Sequence, residues 1–223
     1  MKGKPENRPQ IKICGLTNIQ EALGCATLGA NAVGCVFYPK SPRYVDEEMA
    51  KDIAMALYPE VKTVGVFVNE TFDKIIETVD RCFLGAVQLH GQETPELIAR
   101  LRAEKLSVIK GLYVQDAPSL EDAPKYKASA FLVEHGKGVL PGGNAQEWNW
   151  EKAKCFGDEY PFVLAGGLSP ENIAYALESS QPDAVDVSSG VEYEPGRKDL
   201  NKVEAFIRTV FQCNLRREVR RIF

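Results

Sequence analysis

Short apolar runs alternate with longer amphipathic stretches along the whole 223-residue chain. The runs fall at residues 11–14, 32–37, 63–67, 86–89, 108–111, 130–133, 162–164 and 184–187. Several are β-branched and continuous rather than alternating, the pattern of parallel strands covered by helices on their outer face. Between them, stretches such as 18–28 and 94–102 carry helical periodicity. Thr94-Pro95-Glu96 reads as an N-cap followed by proline in the first helical turn, and Ser169-Pro170-Glu171 repeats that signature. Eight alternations without a break in composition predict one α/β domain, a closed (β/α)8 barrel rather than an open doubly wound sheet. No G-x-G-x-x-G follows the first strand, which removes support for a dinucleotide fold. The barrel is expected over residues 11–212, with an N-terminal extension at 1–10 and a basic C-terminal tail at 213–223.

Charge narrows the partners. The net charge of −4 offers no broad attraction to nucleic acid or to an anionic membrane, so an anionic ligand must be held by a local site. The one basic cluster, at 216–221, is too short to set the class and fits at most an oligomer contact. Six cysteines form no CxxC pair, and His90 and His135 stand far apart, so the spacing predicts no metal site. The first ten residues lack the apolar core of a signal peptide, and no apolar stretch approaches the roughly 18 residues of a membrane span. The expectation is a cytoplasmic protein with reduced thiols. A glycine-rich stretch at 136–146 follows the sixth strand, as a lid or as a plain flexible connection.

In such barrels function sits where strands end and their following loops begin. Gly166 and Gly167 after the seventh strand let backbone approach a ligand closely, and Ser188, Ser189 and Gly190 after the eighth offer further amides and hydroxyls. Loops in these two slots are a recurrent phosphate cradle. Cys14 ends the first strand directly before a glycine, where a thiolate can accept a proton, although free cysteines are commonly buried as small hydrophobes. Glu134 closes an otherwise apolar strand. There it is either a desolvated acid or a solvated rim charge. Asp186, between two valines, points inward and needs a polar partner or ligand. Arg43 either meets a ligand carboxylate or holds its own loop. His90 is a structural hydrogen-bonding residue or a ligand contact.

Taken together, KICGLT at 12–17, FYPKSPRYV at 37–45, VGVFVN at 64–69, VQLHG at 87–91, LAGGL at 164–168 and VDVSSGVE at 185–192 resemble the phosphoribosylanthranilate isomerase family. The resemblance covers nearly the whole chain apart from the first ten residues and the tail. It implies a TIM barrel and an Amadori rearrangement of N-(5-phosphoribosyl)anthranilate in tryptophan biosynthesis. On that resemblance Cys14 is the general base that takes the proton from C2′ of the sugar. Arg43 meets the anthranilate carboxylate, Asp186 supports the sugar or the amine, and the two turns bind phosphate. The phosphosugar is the partner, no metal or organic cofactor is implied, and the chain acts as a monomer or homodimer.

One position departs from the family pattern. The family usually places an aspartate acid at the end of the sixth strand, followed by a GGTG-like loop. Here the sequence is Val133-Glu134-His135, and the loop reads Pro141-Gly142-Gly143-Asn144-Ala145. Glu134 is expected to be the acid, with His135 as the lesser candidate. Two rivals follow: a sugar isomerase of the histidine-biosynthesis type, whose base is an aspartate where this chain has Cys14, and a phosphosugar-binding protein that has lost catalysis.

Overall fold

Side-chain alternation along eight short strands builds this molecule. The computed structural model describes residues 7–136 and 147–223. The strands are β1 (Gln10–Cys14), β2 (Ala32–Val36), β3 (Lys62–Phe67), β4 (Ala86–Leu89), β5 (Val108–Tyr113), β6 (Ala130–Glu134), β7 (Phe162–Leu164) and β8 (Ala184–Val187). They close in chain order into a parallel barrel, as the pattern predicts. At the seam β1 pairs with β8, which sets Gln10 opposite Ala184 and Lys12 opposite Asp186. β5 runs two residues beyond its sequence-predicted end, because Leu112 and Tyr113 keep pairing with Val133 and Glu134 of β6.

Helices cover the outside: α1 (Ile19–Leu28), α2 (Glu47–Leu57), α3 (Phe72–Cys82), α4 (Pro95–Ala103), α5 (Lys154–Glu159), α6 (Ile173–Ser180) and α7 (Leu200–Gln212). Asn18, Asp46, Thr71, Thr94 and Asp199 cap five of them by accepting from backbone N–H groups of the first turn. The second Ser-Pro-Glu signature behaves differently. Asn172 turns its side chain back onto Ser169 N, so residues 170–172 form a turn and α6 begins only at Ile173. Between β5 and β6 the covering element is a 3-10 segment, Leu120–Lys125, with Pro124 inside it. After β8 a hairpin of β9 (Glu192–Glu194) and β10 (Arg197–Lys198) crosses the barrel rim.

Outward side chains such as Ile11, Ile13, Val33, Val87, Leu164 and Val185 pack with helix residues such as Ile53, Ile75 and Phe206 into the main core. Inward ones form a second cluster of mostly small residues, Ala32, Val64, Ala86, Ile109, Ala130, Leu132, Val163, Ala165 and Ala184. Ile222 and Phe223 from the C-terminal segment belong to this inner cluster. Gln10 holds that segment by donating to Phe223 O and accepting from the N–H of Ile222. Arg220 reaches fully buried Asp183 at 2.8 Å, and Arg217 lies 3.0 Å from the same carboxylate. Part of the basic cluster therefore packs against its own barrel, because buried Asp183 just before β8 needs cations beside it.

Candidate active site

The inward register places the chemistry. Followed toward the C-terminal ends of the strands, small apolar residues give way to polar ones at every second position. Ala184 leads to Asp186 and Ser188, Ala86 to Gln88 and His90, and Ala130 through Leu132 to Glu134. On β1 the pair is Lys12 and Cys14. Cys14, Arg43, His90, Glu134, Gly166, Gly167, Asp186, Ser188 and Ser189 all line one pocket, with Val36, Tyr38, Val66, Val68 and Leu132 as apolar wall. An apolar wall with a few convergent polar groups suits a small organic ligand.

Cys14 is 8% exposed, and burial pushes its thiol up. Lys12 beside it pulls the thiol back toward ionisation, while Asp186 works the other way. Lys12 has no solvent exposure and donates to Asp186 Oδ1 at 2.9 Å. Burial opposes the charge on Lys12, yet Asp186 and Cys14 outweigh it, so the ammonium is held above its ordinary range. Gly34 makes room for this arrangement: a Cβ there would lie 2.7 Å from the Cys14 sulfur and 3.1 Å from Lys12 Nζ. Asp186 is thus a carboxylate with a buried cation behind it and the pocket in front.

Arg43 reaches the site by crossing Gly15. That glycine has φ +79°, and a Cβ on it would meet Arg43 Cδ at 2.5 Å. Arg43 Nε and Nη2 donate to the two oxygens of Glu192 at 2.8 and 2.7 Å, and Lys198 Nζ donates to Glu192 Oε1 at 2.6 Å. Burial works against the charge of Arg43, but the Glu192 fork more than offsets it and raises the guanidinium. For Lys198 burial prevails and lowers the ammonium despite Glu192. Glu192 is itself held low by Arg43 and Lys198, against the burial that would raise it.

Glu134 faces His90, with 2.9 Å between Oε1 and Nε2. On the other side of the ring, Gln88 Nε2 lies 3.1 Å from Nδ1. Tyr113 donates to the His90 carbonyl at 3.0 Å and stands edge-on to the ring. Glu134 lines the pocket, and His135 is not among the described lining residues.

The turns after β7 and β8 form the remaining wall. Gly166 and Gly167 adopt φ of +84° and +69°, a left-handed pair that side chains resist. The carbonyls of Ala165 and Gly166 accept from the indoles of Trp148 and Trp150, which fixes the turn. Ser188 Oγ donates to Cys14 O at 2.9 Å. A side chain at Gly190 would overlap the Leu168 carbonyl, so Gly190 lets the two turns touch and stands behind the pocket wall.

Sequence reasoning did not single out Lys12, Gln88, Glu192 or Lys198. Strand periodicity held a signal for the first two, each lying two residues before a recognised site residue and hence on the same face. Lys198 arrives through the β9–β10 hairpin, and no motif announces it. The stretch 136–146, expected as a lid or as a plain flexible connection, falls, beyond Gly136, outside the described residues.

The family profile described as N-(5′-phosphoribosyl)anthranilate (PRA) isomerase matches residues 11–209. N-(5′-phosphoribosyl)anthranilate isomerase from Desulfatibacillum aliphaticivorans is 45% identical over 214 residues, covering 96% of this chain and 98% of that protein. The crystal structure of phosphoribosyl anthranilate isomerase from Thermotoga maritima superposes with a TM-score of 0.84 at 41% identity, over 92% of this chain and 100% of that one. A complex of such an isomerase with reduced 1-(o-carboxyphenylamino)-1-deoxyribulose 5-phosphate gives a TM-score of 0.80, again at 41% identity and over the same shares.

Proposed function

The chain belongs to the N-(5′-phosphoribosyl)anthranilate isomerase family and catalyses that isomerisation in tryptophan biosynthesis, and from this premise we propose how its own residues divide the work. Glu134 gives a proton to the ring oxygen of the ribose as the C1′–O bond breaks, and the anthranilate nitrogen lone pair forms the C=N⁺ bond. That cation makes the C2′ proton acidic. The Cys14 thiolate takes it, and the electron pair of the C2′–H bond becomes the C1′=C2′ bond of an enol, which relaxes to the ketose. Only protons move, so the reaction calls for no metal or organic cofactor.

One observation carries this assignment: Cys14 on β1 and Glu134 on β6 face the same pocket. Between them stand Arg43, which suits the anthranilate carboxylate, and Asp186 with Lys12 behind it, which suits the amine or the sugar. The left-handed turn at Gly166 and Gly167, together with Ser188 and Ser189, suits the phosphate, and Gly190 behind them keeps the two turns in contact. His90 lines the same pocket and faces Glu134. The chain works on this small phosphosugar as a monomer or homodimer. A cytoplasmic setting suits its six free cysteines. Among the described residues no helix is long and apolar enough to cross a membrane.

The test is the rate of loss of fluorescent phosphoribosylanthranilate, made in situ from anthranilate and phosphoribosyl pyrophosphate. Cys14→Ala and Glu134→Gln should each lower kcat by about 10²–10⁴, the usual cost of losing a general base or acid. Retention of activity within about threefold by either variant removes that residue from its role.

A further inference from the structure

Glu134 does not face the pocket alone. Gln88, His90 and Glu134 form one buried hydrogen-bonded row, with a ring nitrogen of His90 toward each neighbour. We propose that His90 and Glu134 hold the catalytic proton jointly, His90 acting through Glu134 as the residue that positions and reloads the acid. This rests on Glu134 being that acid.

Hydrogen-bond bookkeeping leads there. When Gln88 donates its N–H to Nδ1, the ring proton sits on Nε2 and points at the Glu134 carboxylate. The pair then carries one negative charge. Turning the Gln88 amide over presents Oε1 to Nδ1–H instead, and the contact between Nε2 and Oε1 of Glu134 holds one further proton. The pair is now neutral, either as carboxylic acid with imidazole or as carboxylate with imidazolium. Gln88 Oε1 has no other partner among the described residues, so no second contact pins the amide in either orientation. A neutral loaded pair also suits the buried wall better than an unpaired charge. On donation the proton leaves the Glu134 oxygen for the ribose ring oxygen, and carboxylate with neutral imidazole remains. Solvent returns the proton after the ketose forms. Tyr113, donating to the His90 carbonyl, and the fully buried Lys110–Glu93 ion pair behind β4 keep the His90 backbone in place for this exchange.

The experiment combines imidazole nitrogen NMR with kinetics on the full chain. The chain has only two histidines, and His135→Gln assigns their signals. At the pH of the assay, wild-type His90 should show a proton on Nδ1 or on both nitrogens, and Glu134→Gln should return it to a neutral ring. His90→Gln should lower kcat on the order of 10- to 100-fold, with KM unchanged within about threefold. The double variant His90→Gln/Glu134→Gln should be no slower than Glu134→Gln alone, since the two residues act as a unit. A wild-type His90 protonated on Nε2 only overturns the proposal. So does a His90→Gln variant whose KM rises at constant kcat, which would make His90 a plain substrate contact. If His90→Gln does not fold, the NMR of the wild type still decides. Full activity of Glu134→Gln is a different result: it removes the acid assignment itself, whatever the state of His90.

Discussion

The ammonium of Lys12 sits between Asp186, 2.9 Å away across the β1–β8 seam, and the sulfur of Cys14, at a point closed to solvent. The thiol that burial pushes up has its cation in place before any substrate arrives. Lys12→Met should therefore slow alkylation of Cys14 by iodoacetamide at pH 8 by about tenfold or more, a shift of one unit in its ionisation. The rate is followed on the Cys14 peptide by mass spectrometry, because exposed Cys155 also reacts. The variant leaves Asp186 without its buried partner and should lose about 3–5 kcal/mol of stability. An unchanged alkylation rate would show that Lys12 serves Asp186 alone.

Glu192 grips Arg43 with two hydrogen bonds and Lys198 with a third. Its removal frees the guanidinium to wander from the pocket wall. Glu192→Gln should raise KM about tenfold or more while kcat changes little, since Arg43 meets the non-reacting carboxylate of the substrate. Steady-state kinetics separates the two parameters. A fall in kcat at constant KM would place Glu192 in the chemistry instead.

How much of this was legible beforehand follows from distance along the chain. The eight strands were readable because each is a short, mainly apolar run between amphipathic stretches, and β4, β7 and β8 match residue for residue. The site residues were readable because they close those strands within short motifs. Their partnerships were not. Lys12 finds Asp186, Arg43 finds Glu192 and His90 finds Glu134 across separations set by barrel closure. The 3-10 segment Leu120–Lys125 carries a proline that breaks helical periodicity, so no helical pattern marked the β5–β6 connection. Asn172 drew back the start of α6 by a hydrogen bond that propensity does not encode.

Burial pushes the thiols of Cys25 and Cys35 up to about 12, from an ordinary value of 9.0. Between those values the unfolded chain gives up these protons and the folded chain keeps them. Their contribution is therefore fully present below pH 9 and is lost as pH rises toward 12. At pH 10.5 each thiol should cost about 2 kcal/mol. Melting curves at pH 8 and 10.5 check this: the wild type should lose more Tm than the double variant Cys25→Ala/Cys35→Ala. Equal losses would assign the alkaline instability to other groups.

Phe223 fills the barrel interior at the end opposite the pocket, beside Ala32, Val64 and Ala184. Phe223→Ala should cost about 3 kcal/mol, at the lower end for a buried phenylalanine because the segment can relax. Activity at 25 °C should be unaffected, since Phe223 itself does not line the pocket. Urea denaturation together with the turnover assay measures both. A loss of turnover without a loss of stability would link the floor to the site.

The β1–β8 seam ties catalysis to the folding pathway. Lys12 and Asp186 stand 174 residues apart in sequence, so the contact that equips Cys14 is also among the most non-local contacts in the molecule. A sheet that has formed all its strands and helices but not yet closed holds every catalytic side chain and no active site. During refolding, secondary structure should return first, and turnover should follow as one late cooperative step that reports the instant the circle completes.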